Sequence, residues 1–174
     1  SHITKIMNST RDASYQETRF LNLAIAHQST LLVYAKHDQA STRELARKLK
    51  PEFGKVFVAS TTRECLKLIR KHDADDNLPH VDLLLADFDS QFLKMLDTVN
   101  KRPQQKETIH FPVISTIVIL PPQNEENERG FRQLEDPSAM IEDVGGCSHV
   151  FPGTVTSREV LTTSLDVLAR RKQV

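Results

Sequence analysis

The chain has 174 residues, of which 39% are hydrophobic and 26% charged, too apolar for a wholly disordered protein and enough for a sizeable core. Its 23 basic residues equal its 23 acidic residues in number, which argues against a dedicated nucleic-acid binder, whose affinity would rest on surplus positive charge. No apolar run reaches the ~20 residues of a membrane-spanning helix, and two cysteines cannot form a disulfide framework. We therefore expect an intracellular, cytoplasmic protein without membrane insertion.

The predicted elements begin with a helix at residues 15–27, within an N-terminal extension or linker that we assign to residues 1–28. The remainder, residues 29–174, is predicted to form one domain. Apolar runs of strand length follow one another along it, as is typical of buried β-strands. They lie at residues 30–35, 55–59, 81–86, 111–120 and 149–151.

Helical periodicity separates these runs, and three predicted helices begin at capping-box patterns, in which Ser or Thr precedes Glu by three residues. The patterns are Ser41-x-x-Glu44, Thr61-x-x-Glu64 and Thr156-x-x-Glu159. Two more helices are predicted around residues 92–99 and 137–144, and Gly145 and Gly146 are expected to end the second. The polar stretch at residues 121–136 is predicted to be a projecting loop.

Strands and helices therefore alternate five times without tight hairpin turns, which predicts an α/β protein with a parallel sheet covered by helices on both faces. We expect the flavodoxin-like, three-layer α/β/α arrangement with five strands in the order 2-1-3-4-5 and an extra N-terminal helix. In such sheets, functional groups collect at the carboxyl ends of the strands.

Several common active-site motifs are missing from the sequence. It contains neither the phosphate-binding patterns G-x-x-x-x-G-K-[ST] and G-x-G-x-x-G nor the nucleophile pattern G-x-S-x-G. Its histidines and cysteines are too scattered for a zinc site. The remaining candidate for a functional group is the carboxylate of Asp87, which directly follows the apolar run VDLLLA. The predicted topology places this residue at the edge of the sheet where sites form.

The order of elements and four stretches of sequence resemble the receiver domain of two-component response regulators, over roughly residues 29–170. The stretches are VDLLLAD (81–87), GKVFVASTTRECL (54–66), FPVIS (111–115) and DVGGCSHVF (143–151). The resemblance implies that Asp87 is the residue that would accept a phosphoryl group.

The sequence departs from the family at the positions around this Asp. Working receivers carry two acidic residues after the first strand, which hold Mg²⁺ together with the phosphoacceptor; the aligned residues here are Ala35 and Lys36. Asp38 is the nearest acidic replacement. The family's Lys after the fifth strand is missing from residues 151–154, and its Ser or Thr at the end of the fourth falls on Ile117. The predicted pocket comprises Ala35, Lys36, Asp38, Asp87, Asp89, Thr116 and Ile117.

These departures predict a degenerate receiver, or pseudo-receiver, that is not an enzyme and needs no cofactor. We hypothesise that the Lys36 ammonium pairs with Asp87 in place of the metal and locks one conformation. The alternative is that Lys36 faces solvent while Asp87 accepts a hydrogen bond from a backbone N–H. The function would then lie in protein–protein contacts that regulate a larger intracellular signalling protein.

The resemblance also implies where such contacts form, because the fourth helix, fifth strand and fifth helix are the family's usual interaction surface. The residues expected on this surface are Val144, His149, Ser157 and Leu161. The expected partners are other domains of the parent protein, a separate signalling protein or a second copy of the chain, and not nucleic acid. The basic residues 170–172 are predicted to be a solvated helix end.

Two other functions remain open. One is a working phosphorelay receiver, phosphorylated on Asp87 by a histidine kinase or phosphotransfer protein, with Asp38 completing a Mg²⁺ site. The other is a flavodoxin-like domain that binds a small ligand, such as a quinone, a nucleotide or a flavin, at the same strand ends.

Overall fold

Strands and helices alternate along the chain in the computed structural model, which describes residues 21–102, 112–122 and 136–172. The strands are β1 (Thr30–Tyr34), β2 (Lys55–Ala59), β3 (Leu83–Asp87), β4 (Ser115–Ile119) and β5 (Cys147–Phe151). The helices are α1 (Ala40–Leu49), α2 (Thr62–Ala74), α3 (Ser90–Lys101), α4 (Pro137–Val144) and α5 (Ser157–Lys172). Residues 21–27 form a further helix before β1. Residues 15–20 of the predicted N-terminal helix and 123–135 of the predicted loop lie outside the described ranges. No helix within those ranges is long and apolar enough to span a membrane.

The five strands form one parallel sheet in the order β2-β1-β3-β4-β5. This confirms the predicted flavodoxin-like fold class with an extra N-terminal helix. β3 is central, and its register places Ala86 opposite Tyr34 of β1 and Asp87 opposite Ile119 of β4. The carboxyl ends of these three strands therefore meet at one edge of the sheet, beside Asp87.

Two layers of side chains, one on each face of the sheet, form the core. Every residue of β1, β3 and β4 is buried, because helices cover both faces and leave no solvated side for polar residues. Leu84 and Ala86 pack with residues of α2, α3 and α4, whereas Leu83 and Leu85 pack with residues of α1 and α5. This division follows from the alternation of side chains along a strand.

The starts of the helices confirm two of the three predicted caps. The Thr61 hydroxyl accepts a hydrogen bond from the backbone N–H of Glu64 (3.1 Å), and the Thr156 hydroxyl accepts one from Glu159 (3.2 Å). The predicted cap at Ser41 is wrong, because α1 already begins one residue earlier and its preceding residue makes no side-chain cap.

Gly145 and Gly146 end α4 as predicted. Both have φ of 79°, a left-handed conformation that costs little without a Cβ. The Gly145 N–H donates to the Ile141 carbonyl (2.9 Å), and the Asn100 side chain of α3 donates to the Gly145 carbonyl (2.8 Å). The end of α4 is thereby held against α3.

Gly54, in the turn before β2, joins the N-terminal helix to the sheet. Its N–H donates to the carbonyls of Ala26 (3.1 Å) and Ser29 (3.0 Å). A Cβ at Gly54 would lie 2.5 Å from the carbonyl oxygen of His27, so the two backbone segments are too close together here for any residue with a side chain. Ala26 is fully buried in the core, and the last turn of this helix is therefore packed against the domain. The proposed boundary between residues 28 and 29 stays a prediction.

At the same, amino end of the sheet, Arg171 of α5 reaches the start of β3. Its guanidinium donates to the Asp82 carbonyl (2.6 Å), and the Asp82 carboxylate accepts the Thr30 N–H (2.8 Å). Arg170, by contrast, is exposed and pairs with Asp166. The prediction of a solvated basic end therefore holds for Arg170 and not for Arg171, which fastens α5 to the central strand.

Candidate functional site

Asp87 ends β3 and is buried, with only 5% of its surface exposed. Both oxygens of its carboxylate accept hydrogen bonds from the chain. Oδ1 accepts from the Thr42 hydroxyl (2.5 Å), and Oδ2 accepts from the Lys36 backbone N–H (2.9 Å). Thr42 lies in the first turn of α1 and is itself buried. The loop and helix that follow β1 therefore hold the carboxylate from two sides.

The loop between β1 and α1 is positioned by its own backbone and by Arg43. The Ala35 N–H donates to the Ala59 carbonyl (2.9 Å), which extends the pairing of β1 with β2. The Arg43 guanidinium donates to the carbonyls of Lys36 (2.8 Å) and His37 (2.9 Å). These bonds hold the two peptide groups that directly follow the one whose N–H reaches Asp87. Arg43 is therefore a positioning residue that acts on the carboxylate through the loop.

The surroundings of Asp87 raise the pKa of its carboxyl. Burial raises the pKa of this carboxyl above its ordinary value, because removal from water penalises the charge, and the negative charge of Asp38 adds to the effect. The pKa is lowered by the hydrogen bonds from the Thr42 hydroxyl and the Lys36 N–H and by the Lys36 charge, but these effects together are smaller than the rise. Asp87 is therefore a hydrogen-bonded carboxyl whose pKa is governed mainly by its removal from water.

Lys36 contacts Asp87 through its backbone, in contrast to the expected ion pair. None of the ion pairs within the described ranges joins the Lys36 ammonium to Asp87. The Lys36 side chain is half-exposed and lies on the wall of a neighbouring cavity. The alternative interpretation, in which the carboxylate accepts from a backbone N–H, describes the observed contact.

A cavity of about 290 Å³ opens beside Asp87 at the carboxyl edge of the sheet. Its polar side chains are those of Lys36, Gln39, Ser41, Thr42, Asp87 and Thr154. The ends of β4 and β5 supply most of the remaining wall, through residues 119–122 and 153–155. Lys36 carries the one positively charged side chain on this wall within the part of the chain that the structure describes.

Three residues of the predicted pocket lie close in sequence to the site but away from its cavity. Ala35 is fully buried behind the loop, and Asp38 is exposed on it. Asp89 caps α3 by accepting the Phe92 N–H (2.7 Å), and it also accepts a hydrogen bond from the Tyr34 hydroxyl (2.7 Å). Burial and this bond raise the pKa of Tyr34. Asp89 therefore serves the packing of α3 rather than the wall of the cavity.

The predicted residues of β4 lie deeper in the sheet than expected. Thr116 and Ile117 are fully buried inside the strand, opposite Leu84 and Leu85. The residue opposite Asp87 is Ile119, two positions beyond Ile117. The end of β4 therefore presents the apolar Ile119 and the residues after it, without a Ser or Thr hydroxyl, to the site.

The four residues expected on the interaction surface occupy different environments. His149 is exposed on the edge strand β5, and its ring centroid lies 4.5 Å from that of Phe151. Ser157 is half-buried at the start of α5. Val144 and Leu161 are half-buried and pack against opposite layers of the core. Their role in binding a partner stays a prediction.

The side chains around Asp87 do not fit a Mg²⁺ ion, which requires several oxygen ligands in a near-octahedral shell. Both carboxylate oxygens of Asp87 already accept hydrogen bonds, the Ala35 side chain has no ligand atom, and the Lys36 side chain adds positive charge. Within the described ranges, no three His, Cys, Asp or Glu side chains gather in a way that suits a metal.

Two residues of the site, Thr42 and Arg43, were not expected from the sequence. The capping-box pattern that includes them points to Ser41 and Glu44 instead. The sequence does place Thr42 in the first turn of the helix that follows β1, near the carboxyl edge of the sheet. Whether its hydroxyl faces Asp87 depends on how that helix is rotated, which the sequence does not show.

Comparison with solved structures supports the fold. No model of a known protein family matches the chain, and no curated protein matches it in sequence. The structure resembles that of a CheY-like response regulator receiver domain protein from Methanospirillum hungatei JF-1, with a TM-score of 0.58 and 17% identity, over 84% of this chain and 98% of that one. It also resembles the phosphorylated cyanobacterial phytochrome response regulator RcpA, with a TM-score of 0.52 and 13% identity, over 80% of this chain and 91% of that one. The chain therefore has the fold of response-regulator receiver domains.

Proposed function

We propose that this domain is a pseudo-receiver, a noncatalytic signalling module that regulates a larger intracellular protein through protein–protein contacts and is not phosphorylated on Asp87 in a Mg²⁺-dependent way. The observation that carries the proposal is the state of the Asp87 carboxylate. Each of its oxygens accepts a hydrogen bond from the chain, from the Thr42 hydroxyl and the Lys36 N–H. These bonds fix the orientation of the carboxylate and take up one acceptor site on each oxygen that would attack a phosphoryl group.

The charges around the carboxylate support the same function. Transfer of a phosphoryl group to a carboxylate brings two anionic groups together, and a divalent cation with nearby donors is needed to stabilise the charge. Ala35 and Lys36 stand where the resemblance to receivers implies acidic metal ligands. The Lys36 ammonium is a single positive charge at the end of a long side chain, which is a poor substitute for an ion that bridges two oxygens.

The receiver fold itself supports the signalling part of the proposal. RcpA was solved in a phosphorylated form, and the resemblance assigns Asp87 of this chain to the phosphoacceptor position. A domain that keeps the fold and the acceptor but replaces the surrounding groups retains surfaces for binding partners while losing the chemistry.

Incubation with a small-molecule phosphodonor and Mg²⁺, followed by mass measurement of the intact protein, tests this proposal. We expect no added phosphoryl group, whereas a working receiver treated in parallel gains one and shows that the donor is active. The matched variant Asp87→Asn identifies modification elsewhere in the chain. A stable phosphoryl group on the wild-type protein that is missing from Asp87→Asn would overturn the proposal.

The same experiment addresses the second candidate function, a working phosphorelay receiver. In its favour, Asp38 lies two residues after Lys36, near enough for its negative charge to contribute to the raised pKa of Asp87. If Asp38 completes a metal site, Asp38→Asn abolishes a phosphorylation that the wild-type protein shows. If neither protein is phosphorylated, this candidate is excluded.

A further inference from the structure

A groove of about 290 Å³ runs between α2 and α3, on the face of the sheet opposite α1 and α5. Its sides are formed by residues one helical turn apart, such as Thr62 and Leu66 of α2 and Gln91 and Met95 of α3. Leu66 is half-buried, whereas Met95 is buried, so of these two apolar side chains it is Leu66 that offers accessible surface at the floor of the groove. The groove is separate from the cavity beside Asp87.

Three positively charged side chains line this groove: Arg63 and Arg70 of α2 and Lys94 of α3. All three are exposed. Within the described ranges none of them takes part in an ion pair, and no Asp or Glu lines the groove. The groove thus presents uncompensated positive charge on a chain whose formal net charge is zero.

The acidic residues of α2 are engaged elsewhere. The Glu64 carboxylate accepts the Ser60 N–H (3.3 Å), and Asp73 is paired with Arg102 and His80 at the far end of the helix. Other helices contain internal pairs, such as Arg47 with Glu44 in α1. α2 instead carries Lys67 and Lys71 as further exposed cations, which reinforce the charge of the groove.

We propose that the groove between α2 and α3 binds an acidic, amphipathic segment of a partner protein. Carboxylates of the segment would pair with Arg63, Arg70 and Lys94, and its apolar side chains would cover Leu66. The proposal rests on the proposed function as an interaction module and names the class of partner. It places the contact on a different face from the one that includes β5 and α5.

The features of the groove favour a protein segment over nucleic acid. No aromatic side chain on which a base could stack lines the described groove. Three cations are few for a phosphate backbone, whose binding depends on many such contacts. Leu66 provides an apolar contact for the nonpolar face of a helix, and the polar rim of Thr62, Gln91 and Thr98 is typical of a protein interface.

Fluorescence anisotropy with a labelled peptide tests the proposal. The probe is a synthetic amphipathic helix with Glu on one face and Leu on the other, added to the full chain. We expect binding that weakens as NaCl rises from about 0.05 M to about 0.5 M, because exposed ion pairs are screened. Backbone NMR signals of α2 and α3 shift during the titration, and those around Asp87 do not.

Charge reversal of the groove provides the decisive variant. The triple variant Arg63→Glu, Arg70→Glu and Lys94→Glu is expected to weaken binding about tenfold or more. The matched control reverses three exposed cations outside the groove, Lys48, Lys50 and Arg158, and retains wild-type affinity. If charge reversal prevents folding, Gln at the three groove positions removes the charges with less repulsion, and the expected loss is smaller but in the same direction.

Several results would overturn the proposal. One is the absence of peptide binding, and another is an equal loss of affinity in the control variant. A third is tighter binding of a single-stranded oligonucleotide or of phosphatidylserine vesicles than of the peptide. A peptide of the same composition in shuffled order should bind more weakly, because it loses the apolar face. Failure of these tests leaves the pseudo-receiver proposal standing, since that proposal is decided by the phosphorylation state of Asp87.

Discussion

The Thr42 hydroxyl donates a 2.5 Å hydrogen bond to Oδ1 of Asp87, and both residues are buried. This bond joins the first turn of α1 to the end of the central strand. It satisfies a buried carboxylate oxygen that would otherwise have lost its water without replacement. The contact therefore affects both the stability of the domain and the chemistry of Asp87.

Replacement of Thr42 by Val removes this hydroxyl while preserving the shape of the side chain. We expect a loss of about 1–3 kcal/mol in the free energy of unfolding at neutral pH, because a buried carboxylate oxygen loses its donor. Urea unfolding measures this change. Thr42→Ser should restore much of the loss. Thr162→Val, at an exposed hydroxyl that bonds only within α5, is the matched control, and an equal effect there would contradict the assigned role.

The raised pKa of Asp87 predicts a specific dependence of stability on pH. The carboxyl's ordinary pKa is 3.8, and burial raises it in the folded protein. The folded state therefore binds the proton more tightly than the unfolded state does. The stability that this protonation contributes is fully present below 3.8 and is lost as the pH rises through the folded-state pKa.

Asp87→Asn removes that dependence. We expect the free energy of unfolding of the variant, relative to the wild-type protein, to increase as the pH rises from about 3 to about 7, by about 1.4 kcal/mol for each unit by which the pKa is raised. Denaturant unfolding at several pH values measures the difference. A difference that stays constant over this range would show that Asp87 ionises in the folded state as it does in the unfolded chain.

Loss of the Arg43 guanidinium should loosen the loop that holds Asp87. In Arg43→Met the carbonyls of Lys36 and His37 lose their donor, and we expect the Lys36 amide to exchange with solvent about tenfold faster or more. Hydrogen–deuterium exchange measured by NMR reports this rate. The matched variant is Arg47→Met, one turn later in α1, whose guanidinium contacts only the exposed Glu44. If both variants exchange at the same rate, Arg43 does not position the loop.

The close approach of the backbone at Gly54 predicts a site that does not accept a side chain. Gly54→Ala places a Cβ 2.5 Å from the His27 carbonyl oxygen, and we expect a loss of about 1–3 kcal/mol in the free energy of unfolding. Thermal unfolding compares it with Gly153→Ala, where, chain neighbours apart, none of the described residues has an atom within 4 Å of the added methyl. Equal stability of the two variants would mean that the N-terminal helix can move away from the turn without cost.

The fold was largely predictable because its signals are local in the chain. The apolar run before Asp87 is the signature of a strand covered on both faces, and its last residue must emerge at the carboxyl edge of a parallel sheet. Thr61 and Thr156 cap helices through bonds to residues three positions later. Gly145 ends a helix through its own backbone conformation. In each case the interacting groups are neighbours in sequence, so the pattern is visible without the tertiary structure.

The candidate site depended on relationships that no local pattern records. The amino-acid sequence alone identified Asp87 and the replacements Ala35 and Lys36. Whether Lys36 contacts the carboxylate through its backbone or its side chain depends on the conformation of the loop after β1. The register between β3 and β4 decides that Ile119, and not Ile117, lies opposite Asp87. The Thr42 contact depends on the rotation of α1 about its own axis as it packs on the sheet. These features are set by packing between segments that are far apart in the chain, because only the assembled core fixes their distances and angles to within a hydrogen bond.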